Sequence, residues 1–260
     1  MPLRTVIATR YVTPLREGGS LPAIVEADDA GTWVLKFRGA GQGAKVLVAE
    51  AIAGGLARAC GLPLPEIVRV ELDAELARTE PDPEIQDLIR ASAGLNLALD
   101  YLPGAVTFDP VAWQPEAGLA SRIVWFDALV GNVDRTPRNT NMMVWHRRLW
   151  LIDHGATLVF HHGWDDPVEQ ATRPFAAIRD HVLLPFATMI DAVDADMAAR
   201  LPRATLEQIL DDVPDVWLRE GAGPAEPEER RRAYVEHLAR RLAAPRAFAE
   251  EAARAHRAAV

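Results

Sequence analysis

The stretch that decides the fold runs from Gly131 to Gly155 and reads GNVDRTPRNTNMMVWHRRLWLIDHG. It begins where a helical pattern ends, and its loop holds a carboxylate, Asp134, and five residues later an amide, Asn139. Two short apolar strands follow, joined by a polar turn, and they end at a second carboxylate, Asp153. Because a hairpin folds back on itself, we expect Asn139 at its entrance and Asp153 at its exit to lie near one another.

These side chains suit phosphoryl transfer. Its transition state is loose, so catalysis relies on placement and on charge neutralisation. Mg²⁺ prefers oxygen ligands and keeps several waters, which predicts that Asn139 and Asp153 hold this metal. Asp134 would orient an acceptor hydroxyl and take its proton, and Gly155 would let the chain turn sharply after the metal ligand. Each motif alone is common by chance, whereas the joined arrangement is specific.

Two charged residues in the N-terminal part agree with this interpretation. Lys36 lies in the extended run Thr32–Phe37, from which a lysine can reach the α- and β-phosphates of a nucleotide. Glu50 follows fourteen residues later on a predicted helix, where it can pair with Lys36. The alternative for each is a solvated surface charge. We expect Lys36 and the three polar residues of the 131–155 stretch to converge on one cleft between two lobes.

The pattern along the chain changes near Pro103-Gly104, which predicts a hinge. Before it, extended segments alternate with turns and with one amphipathic helix over Lys45–Cys60, whose Gly54-Gly55 pair indicates a close packing contact. After it the periodicity is helical. Helices are predicted near residues 119–130, 174–190, 205–213 and 228–257, the third opened by a capping box of Thr205 with Gln208. The layout predicts an α+β fold with a small β-rich lobe (residues 1–102) and a mainly helical lobe (residues 103–260).

The composition excludes several classes of protein. The chain has 260 residues, 49% hydrophobic and 25% charged, enough for one large or two-lobed domain. No apolar run is long enough for a membrane span, and no secretory signal is expected at the start. The single cysteine, Cys60, excludes an intrachain disulfide and a zinc site built on thiolates, and we expect it to be buried and inert in a reducing, cytoplasmic setting. The net charge of −9 argues against a nucleic-acid surface.

Two further clusters, one rich in Arg and one of His and Asp, could each be interpreted as a functional site. Residues 228–257 hold eight Arg against five Glu, which predicts a solvated helix face, with a docking surface for an acidic partner as the alternative. His161-His162 with Asp165-Asp166 resembles a metal-binding cluster. Adjacent histidines point in opposite directions, so we do not predict a metal there.

The joined motif resembles that of the HipA-like kinases and, more distantly, of the type II phosphatidylinositol 4-kinases. The likeness runs from about Tyr11 to Pro185 and is most specific over residues 131–141 and 151–155. The resemblance implies a bilobal kinase-like fold and the use of ATP and Mg²⁺.

The resemblance also implies roles for individual residues. Asp134 would be the catalytic residue, Asn139 and Asp153 the metal ligands, and Lys36 the nucleotide lysine, with Glu50 beside it. Further residues assigned to the nucleotide site are Gly18, Gly19 and Ser20, where the family covers the phosphates, and Asp100 and Leu102, directly before the hinge.

Two positions depart from the family pattern. Thr136 stands where many relatives carry a histidine, and His154 replaces the Phe or Tyr of better-known Asp-x-Gly kinases. The additional N-terminal subdomain of full HipA toxins has no counterpart in the pattern, and no toxin role is implied. These departures leave the nucleotide chemistry intact and leave the acceptor open.

The acceptor defines the function hypotheses. We expect a kinase that phosphorylates Ser or Thr of a protein or of itself. One alternative is a kinase for a small hydroxylated molecule or an inositol lipid. The other is a pseudokinase that binds a partner through the Arg-rich C-terminal helix. A regulatory protein partner stays open, and neither direct nucleic-acid binding nor a membrane span is expected.

Overall fold

The computed structural model describes residues 2–15, 21–41, 43–164, 166–221 and 223–259. Within these ranges, the N-terminal part of the chain forms a closed barrel in the strand order β1-β2-β3-β5-β4. The strands are β1 (Thr5–Pro14), β2 (Ala23–Ala27), β3 (Thr32–Lys36), β4 (Ile67–Leu72) and β5 (Gly94–Asp100). β1 and β4 pair in parallel and the other neighbours are antiparallel.

The alternation of side chains explains the barrel. In β2, Ala23, Val25 and Ala27 are buried and the residues between them are only partly buried, the period of two expected of a strand. The inward residues of all five strands share one apolar core, closed by α2 (Pro83–Ala91). Lys36 is the last residue of β3, opposite Leu97 of β5.

Helix α1 (Ala44–Ala59) connects the barrel with the helical part of the molecule. A Cβ at Gly54 would lie 2.2 Å from Ile67 Cδ1 in β4, and a Cβ at Gly55 would lie 2.7 Å from Ile209 Cγ2. The close packing contact predicted at this glycine pair is therefore confirmed, and it allows α1 to lie against both parts. The apolar residues of α1 belong to the main core of the helical part.

The remaining elements begin with a small sheet and a buried helix. β6 (Val106–Thr107), β7 (Met142–Trp145) and β8 (Arg148–Leu151) form an antiparallel sheet, and β7 with β8 is the predicted hairpin. α3 (Ala117–Val130) is the central helix, with Trp125 edge-on to Phe248 at 5.1 Å between ring centroids. The other helices are α4 (Pro167–Ala171), α5 (Ile190–Ala199), α6 (Arg203–Asp211), α7 (Asp215–Leu218), α8 (Pro227–Leu242) and α9 (Ala247–Ala259).

Three helix predictions were wrong in detail. Residues 174–190 form two 3₁₀ turns, and α5 starts only at Ile190; Pro185 offers no N–H to continue a helix, and the Leu183 N–H is donated to His181 Nδ1. Residues 228–257 form two helices, α8 and α9, because Pro245 interrupts the pattern. The capping box was also wrong, since α6 begins at Arg203.

The solvated face predicted for the C-terminal arginines was wrong for two of them. Arg230 and Arg241, both on α8, are buried. Arg230 donates to the carbonyl oxygens of Glu220, Gly221 and Pro224. Arg241 donates to the last carbonyls of α3, among others, and its pKa is lowered to about 10 by burial. These two side chains attach α8 to the rest of the molecule instead of facing solvent.

The predicted fold class is confirmed: a strand-rich N-terminal region is followed by a helical remainder. The boundary between residues 102 and 103 stays a prediction. Cys60 is buried, which raises the pKa of its thiol to about 12. Among the described residues, no helix combines the length and the apolar character needed to cross a bilayer.

Candidate active site

Lys36 is the centre of the candidate site. It is almost completely buried, and its Nζ donates to Glu50 Oε2 at 2.7 Å and to Asp153 Oδ1 at 2.6 Å. The predicted pair of Lys36 with Glu50 is therefore present, and Asp153 of the segment after β8 joins it. Three residues from distant parts of the chain meet here because β3, α1 and the end of β8 face one another.

The charges of this cluster stabilise each other. Burial opposes the charge on Lys36, but Glu50 and Asp153 raise its pKa well above the ordinary value. Burial alone would likewise raise the pKa of Glu50, whereas Lys36 and His154 lower it to about 2. Glu50 is completely buried, while the side chain of Asp153 is 43% exposed. The cluster is thus anchored on the inside and open to ligands on the outside.

His154 forms the second set of contacts to Glu50. Its backbone N–H donates to Glu50 Oε2 at 2.8 Å, and its Nδ1 lies 3.2 Å from Glu50 Oε1. The preceding residue, Asp153, has a φ of 54°, in the left-handed region that Asp adopts more readily than most residues. This turn directs the carboxylate of Asp153 towards Lys36.

Asp134 and Asn139 form a second polar pair on the loop after α3. Asn139 Nδ2 donates to Asp134 Oδ2 at 2.9 Å, and Asn141 Nδ2 donates to the same oxygen at 3.1 Å. Asn141 also accepts from the backbone N–H of Ile152 at 3.0 Å, which connects the loop to the residue before Asp153. The loop and the Asp153 segment are thus adjacent, as the hairpin predicts. Asn141 was not predicted from the sequence.

A buried ion pair holds this loop in place. Arg135 Nε donates to Asp127 Oδ2 at 2.6 Å, and both side chains are fully buried. His181 Nε2 donates to the same oxygen at 2.8 Å, and Asn132 donates to the other oxygen at 2.9 Å. Arg135 also donates to the backbone carbonyl of Asn141. One signal in the sequence could have indicated this network: Asp127 is the single charged residue in the apolar run over residues 123–130 of α3.

Of the other residues predicted for the nucleotide site, two lie within the described part of the chain and three do not. Asp100, at the end of β5, is half-buried; burial and then the charge of Glu66 raise its pKa. Leu102 is buried. Among the described residues, neither forms a hydrogen bond to Lys36 or Asp153. Gly18, Gly19 and Ser20 lie outside the described residues.

The donor set fits a hard divalent cation. Within the described ranges, Asp153 Oδ2 and Asn139 Oδ1 carry no hydrogen bond, although the other polar atom of each side chain has a partner. One carboxylate and one amide oxygen are typical of Mg²⁺ sites completed by phosphates and water. The described part of the chain contains no group of three or more His, Cys, Asp or Glu side chains that could hold a metal ion.

Comparisons with known proteins bear on the family and the fold of the chain. A family model described as HipA-like kinase matches residues 9–250. The structure is similar to CtkA, a proinflammatory kinase of Helicobacter pylori, with a TM-score of 0.54 and 11% identity over 100% of this chain and 99% of CtkA. The golgi casein kinase gives a TM-score of 0.44 and 11% identity over 93% of this chain and 71% of that one. None of the curated proteins matches the chain.

The likeness to CtkA shows the fold alone, and that fold is a kinase fold. The family model spans most of the chain and identifies the enzyme class, a kinase. The chain belongs to the HipA-like kinase family.

Proposed function

We propose that this kinase transfers the γ-phosphoryl group of ATP, bound with Mg²⁺, to a Ser or Thr hydroxyl of a protein or of its own chain. The observation that carries the proposal is the buried Lys36 Nζ between Glu50 and Asp153, at 2.7 and 2.6 Å. A buried lysine between these two carboxylates suits phosphate binding. The buried carboxylate of Glu50 holds the ammonium in place, whereas the half-exposed carboxylate of Asp153 can exchange its bond to the lysine for one to a ligand.

Lys36 would bind the α- and β-phosphate oxygens of ATP. Its raised pKa keeps it charged throughout the physiological range, so it needs no proton from the nucleotide. Glu50 stays ionised because its pKa is lowered to about 2, and it fixes the position of Nζ. The pair therefore supplies an oriented positive charge in a site largely shielded from water.

Asp134 would orient the acceptor hydroxyl. Two amides occupy its Oδ2, and its Oδ1 carries no hydrogen bond within the part of the chain that the structure describes. The free oxygen would accept the hydrogen bond of the hydroxyl and receive its proton as phosphoryl transfer proceeds. Asn139 and Asn141 thus set which carboxylate oxygen faces the acceptor.

Asn139 Oδ1 and Asp153 Oδ2 would hold Mg²⁺. The metal supplies charge neutralisation for the phosphates. Asp153 Oδ1 accepts from Lys36 Nζ, which would leave Oδ2 for the metal. We further assign Gly18, Gly19 and Ser20 to the phosphates, and Asp100 and Leu102 to the nucleotide near the hinge.

Calorimetry of ATP binding with and without Mg²⁺ tests the nucleotide site. We expect Mg²⁺-dependent binding by the wild type that weakens about 10- to 100-fold in Asp153→Asn. Asp87→Asn is the matched control, since Asp87 lies on the outer surface of α2 and is 81% exposed. Absence of binding by the wild type would contradict the proposal and favour a partner-binding pseudokinase.

Labelled ATP tests the transfer step. Asp134→Asn should bind ATP as the wild type does and lose about 10²- to 10⁴-fold in transfer rate, the range for removal of a general base. Label in protein, released as phosphoserine or phosphothreonine, is the expected product. Label in small hydroxylated molecules or inositol lipids instead would contradict the proposed acceptor class.

A further inference from the structure

His154 makes contacts that the proposed phosphate chemistry does not use. It lies between Asp153 and Gly155 and is completely buried. Its ring packs edge-on against Phe126 at 5.9 Å between centroids, and its Nδ1 and backbone N–H both face Glu50. One residue therefore joins the helix that carries Glu50 to the segment that carries Asp153.

The direction of the side-chain hydrogen bond follows from the charge on Glu50. An ionised carboxylate only accepts hydrogen bonds, so Nδ1 of His154 carries the proton. In the neutral ring Nε2 is then a bare acceptor. Nε2 is buried and has no partner among the described residues, and a buried acceptor without a partner is tolerated more readily than a buried N–H.

These bonds fix the carboxylate of Glu50 completely. Oε2 accepts from Lys36 and from the backbone of His154, and Oε1 accepts from the His154 ring. With both oxygens held, the plane of the carboxylate is set and Oε2 faces Nζ. The same contacts restrain the left-handed backbone of Asp153, a conformation that is unfavourable for residues other than Gly. Both carboxylate partners of Lys36 are thus oriented by one neighbour.

Helix α1 is held against the same segment at other points. Lys45 Nζ donates to the carbonyl oxygen of His161 at 2.6 Å. Val46 packs against Gly155 so closely that a Cβ there would lie 2.6 Å from Val46 Cγ1. These contacts dock the helix, and among them the contact at His154 is the one that reaches the Lys36 pair.

We propose that His154 is a positioning residue: its Nδ1–H and its backbone N–H hold Glu50 so that Lys36 and Asp153 are aligned before the nucleotide binds. The inference rests on the proposed function for the identity of the ligand. The hydrogen bond itself has a signature that does not depend on activity.

Two substitutions of similar size separate positioning from filling of space. In His154→Asn, the side-chain N–H₂ takes the place of Nδ1–H, so MgATP affinity and the rate of autophosphorylation stay within about threefold of the wild type. His154→Leu fills the site without a donor, and we expect the rate to fall about 10- to 100-fold. The KM for ATP should rise less than the rate falls, because the nucleotide is still bound but its phosphates are misaligned. Equal behaviour of the folded Asn and Leu variants, both active or both inactive, would overturn the proposal.

The second measurement determines the tautomer of the His154 ring. In protein labelled with ¹⁵N-histidine, the signals that are absent from His154→Asn, or that shift in Glu50→Gln if that variant alone folds, identify His154. We expect a protonated Nδ1 and a bare Nε2, and a protonated Nε2 with a bare Nδ1 would overturn the proposal. Should no wild-type binding of MgATP occur, the proposed function fails while the tautomer still decides the inference.

Discussion

Two buried carboxylates on two helices have closely similar surroundings and opposite uses. Glu50 on α1 binds a lysine and a histidine, and Asp127 on α3 binds an arginine and a histidine. Both side chains are completely buried. Both carboxylates also have their pKa lowered by their cations although burial opposes this.

The difference lies in the cations. Lys36 is a compact charge that reaches past Glu50 to a half-exposed carboxylate, Asp153. Arg135 is a planar fork whose Nη1 donates to two backbone carbonyls, those of Asn141 and Ile152. The lysine therefore connects Glu50 to a half-exposed carboxylate that a ligand can reach, whereas the arginine is fully buried and holds the loop that follows α3. We infer that the Glu50 network is for chemistry and the Asp127 network for architecture.

The largest expected effect breaks the Asp127 network. Asp127→Ala leaves Arg135 buried without a counter-charge, and the free energy of unfolding should fall by about 3–5 kcal/mol. Urea unfolding measures it. The matched control is Asp87→Ala, which removes an exposed pair with Arg90 and should change stability by no more than about 0.5 kcal/mol. Similar values for the two variants would contradict the architectural role.

The second effect concerns the cation of the other network. Lys36→Met should reduce phosphoryl transfer by about 10²- to 10³-fold, because an oriented charge on the phosphates is lost. Stability should fall by about 3–5 kcal/mol as well, because the completely buried Glu50 loses its cation and keeps only the donors of His154. The rate of label transfer and the urea midpoint are measured on the same sample. A folded Lys36→Met variant that transfers label at the wild-type rate would contradict the role of the Glu50 network in chemistry.

Acid should remove stability in two stages. Burial lowers the pKa of His181, and it lowers those of His161 and His237 to about 3 and about 4. The unfolded state therefore binds protons first as the pH falls below about 6.5, and His161 and His237 should each cost roughly 2 kcal/mol by pH 5. Glu50 has a lowered pKa of about 2, so its contribution is present above about 4.5 and is lost between about 4.5 and 2.

Stability measured against pH checks these stages. His237→Gln should flatten the curve between about pH 6.5 and 4, and Glu50→Gln should flatten it only below about 4.5. The two variants serve as controls for each other. A Glu50→Gln curve that is already flattened near pH 6 would contradict the assignment.

The smallest expected effect comes from replacing one glycine in α1 and one in α3. Gly55→Ala in α1 would place a Cβ 2.7 Å from Ile209 Cγ2, so a net loss of roughly 1–2 kcal/mol is expected despite the better helix propensity of Ala. Gly118 in α3 has open space, with Glu116 Oε1 at 3.9 Å, and Gly118→Ala should gain up to about 1 kcal/mol. Thermal unfolding of both variants measures the difference. Equal shifts would mean that α1 can move away from α6 without cost.

The parts of the fold that follow local rules could be predicted from the sequence. The hairpin around His146-Arg147, helix α1 and the order of a β-rich part before a helical part are set by periodicity and turn residues nearby in the chain. The closure of the barrel and the break in the last helix depend on distant packing and on Pro245, and were not foreseen. Apolar periodicity alone also favoured a helix over 174–190, where short 3₁₀ turns form instead.

The candidate site likewise contains residues that could be predicted from the sequence and residues that could not. Lys36, Glu50 and Asp153 were found because phosphoryl transfer demands these residue types and because the hairpin brings chain segments together. The buried partners of Asp127 could not be found from spacing, since His181 is more than fifty residues away in the chain. His154 was noted only as a departure from the family pattern, because its contact to Glu50 depends on how α1 packs.

The position of α1 has a consequence for the order in which the protein is made. The barrel strands lie within residues 5–100 and can pair as soon as that segment has left the ribosome. Helix α1 packs against α6 and α7, which follow it by more than 140 residues. Contacts of such long separation form late. A nascent chain with a finished barrel therefore has α1 packed on its barrel side alone, and the contacts that hold its other side form only when synthesis has passed α7.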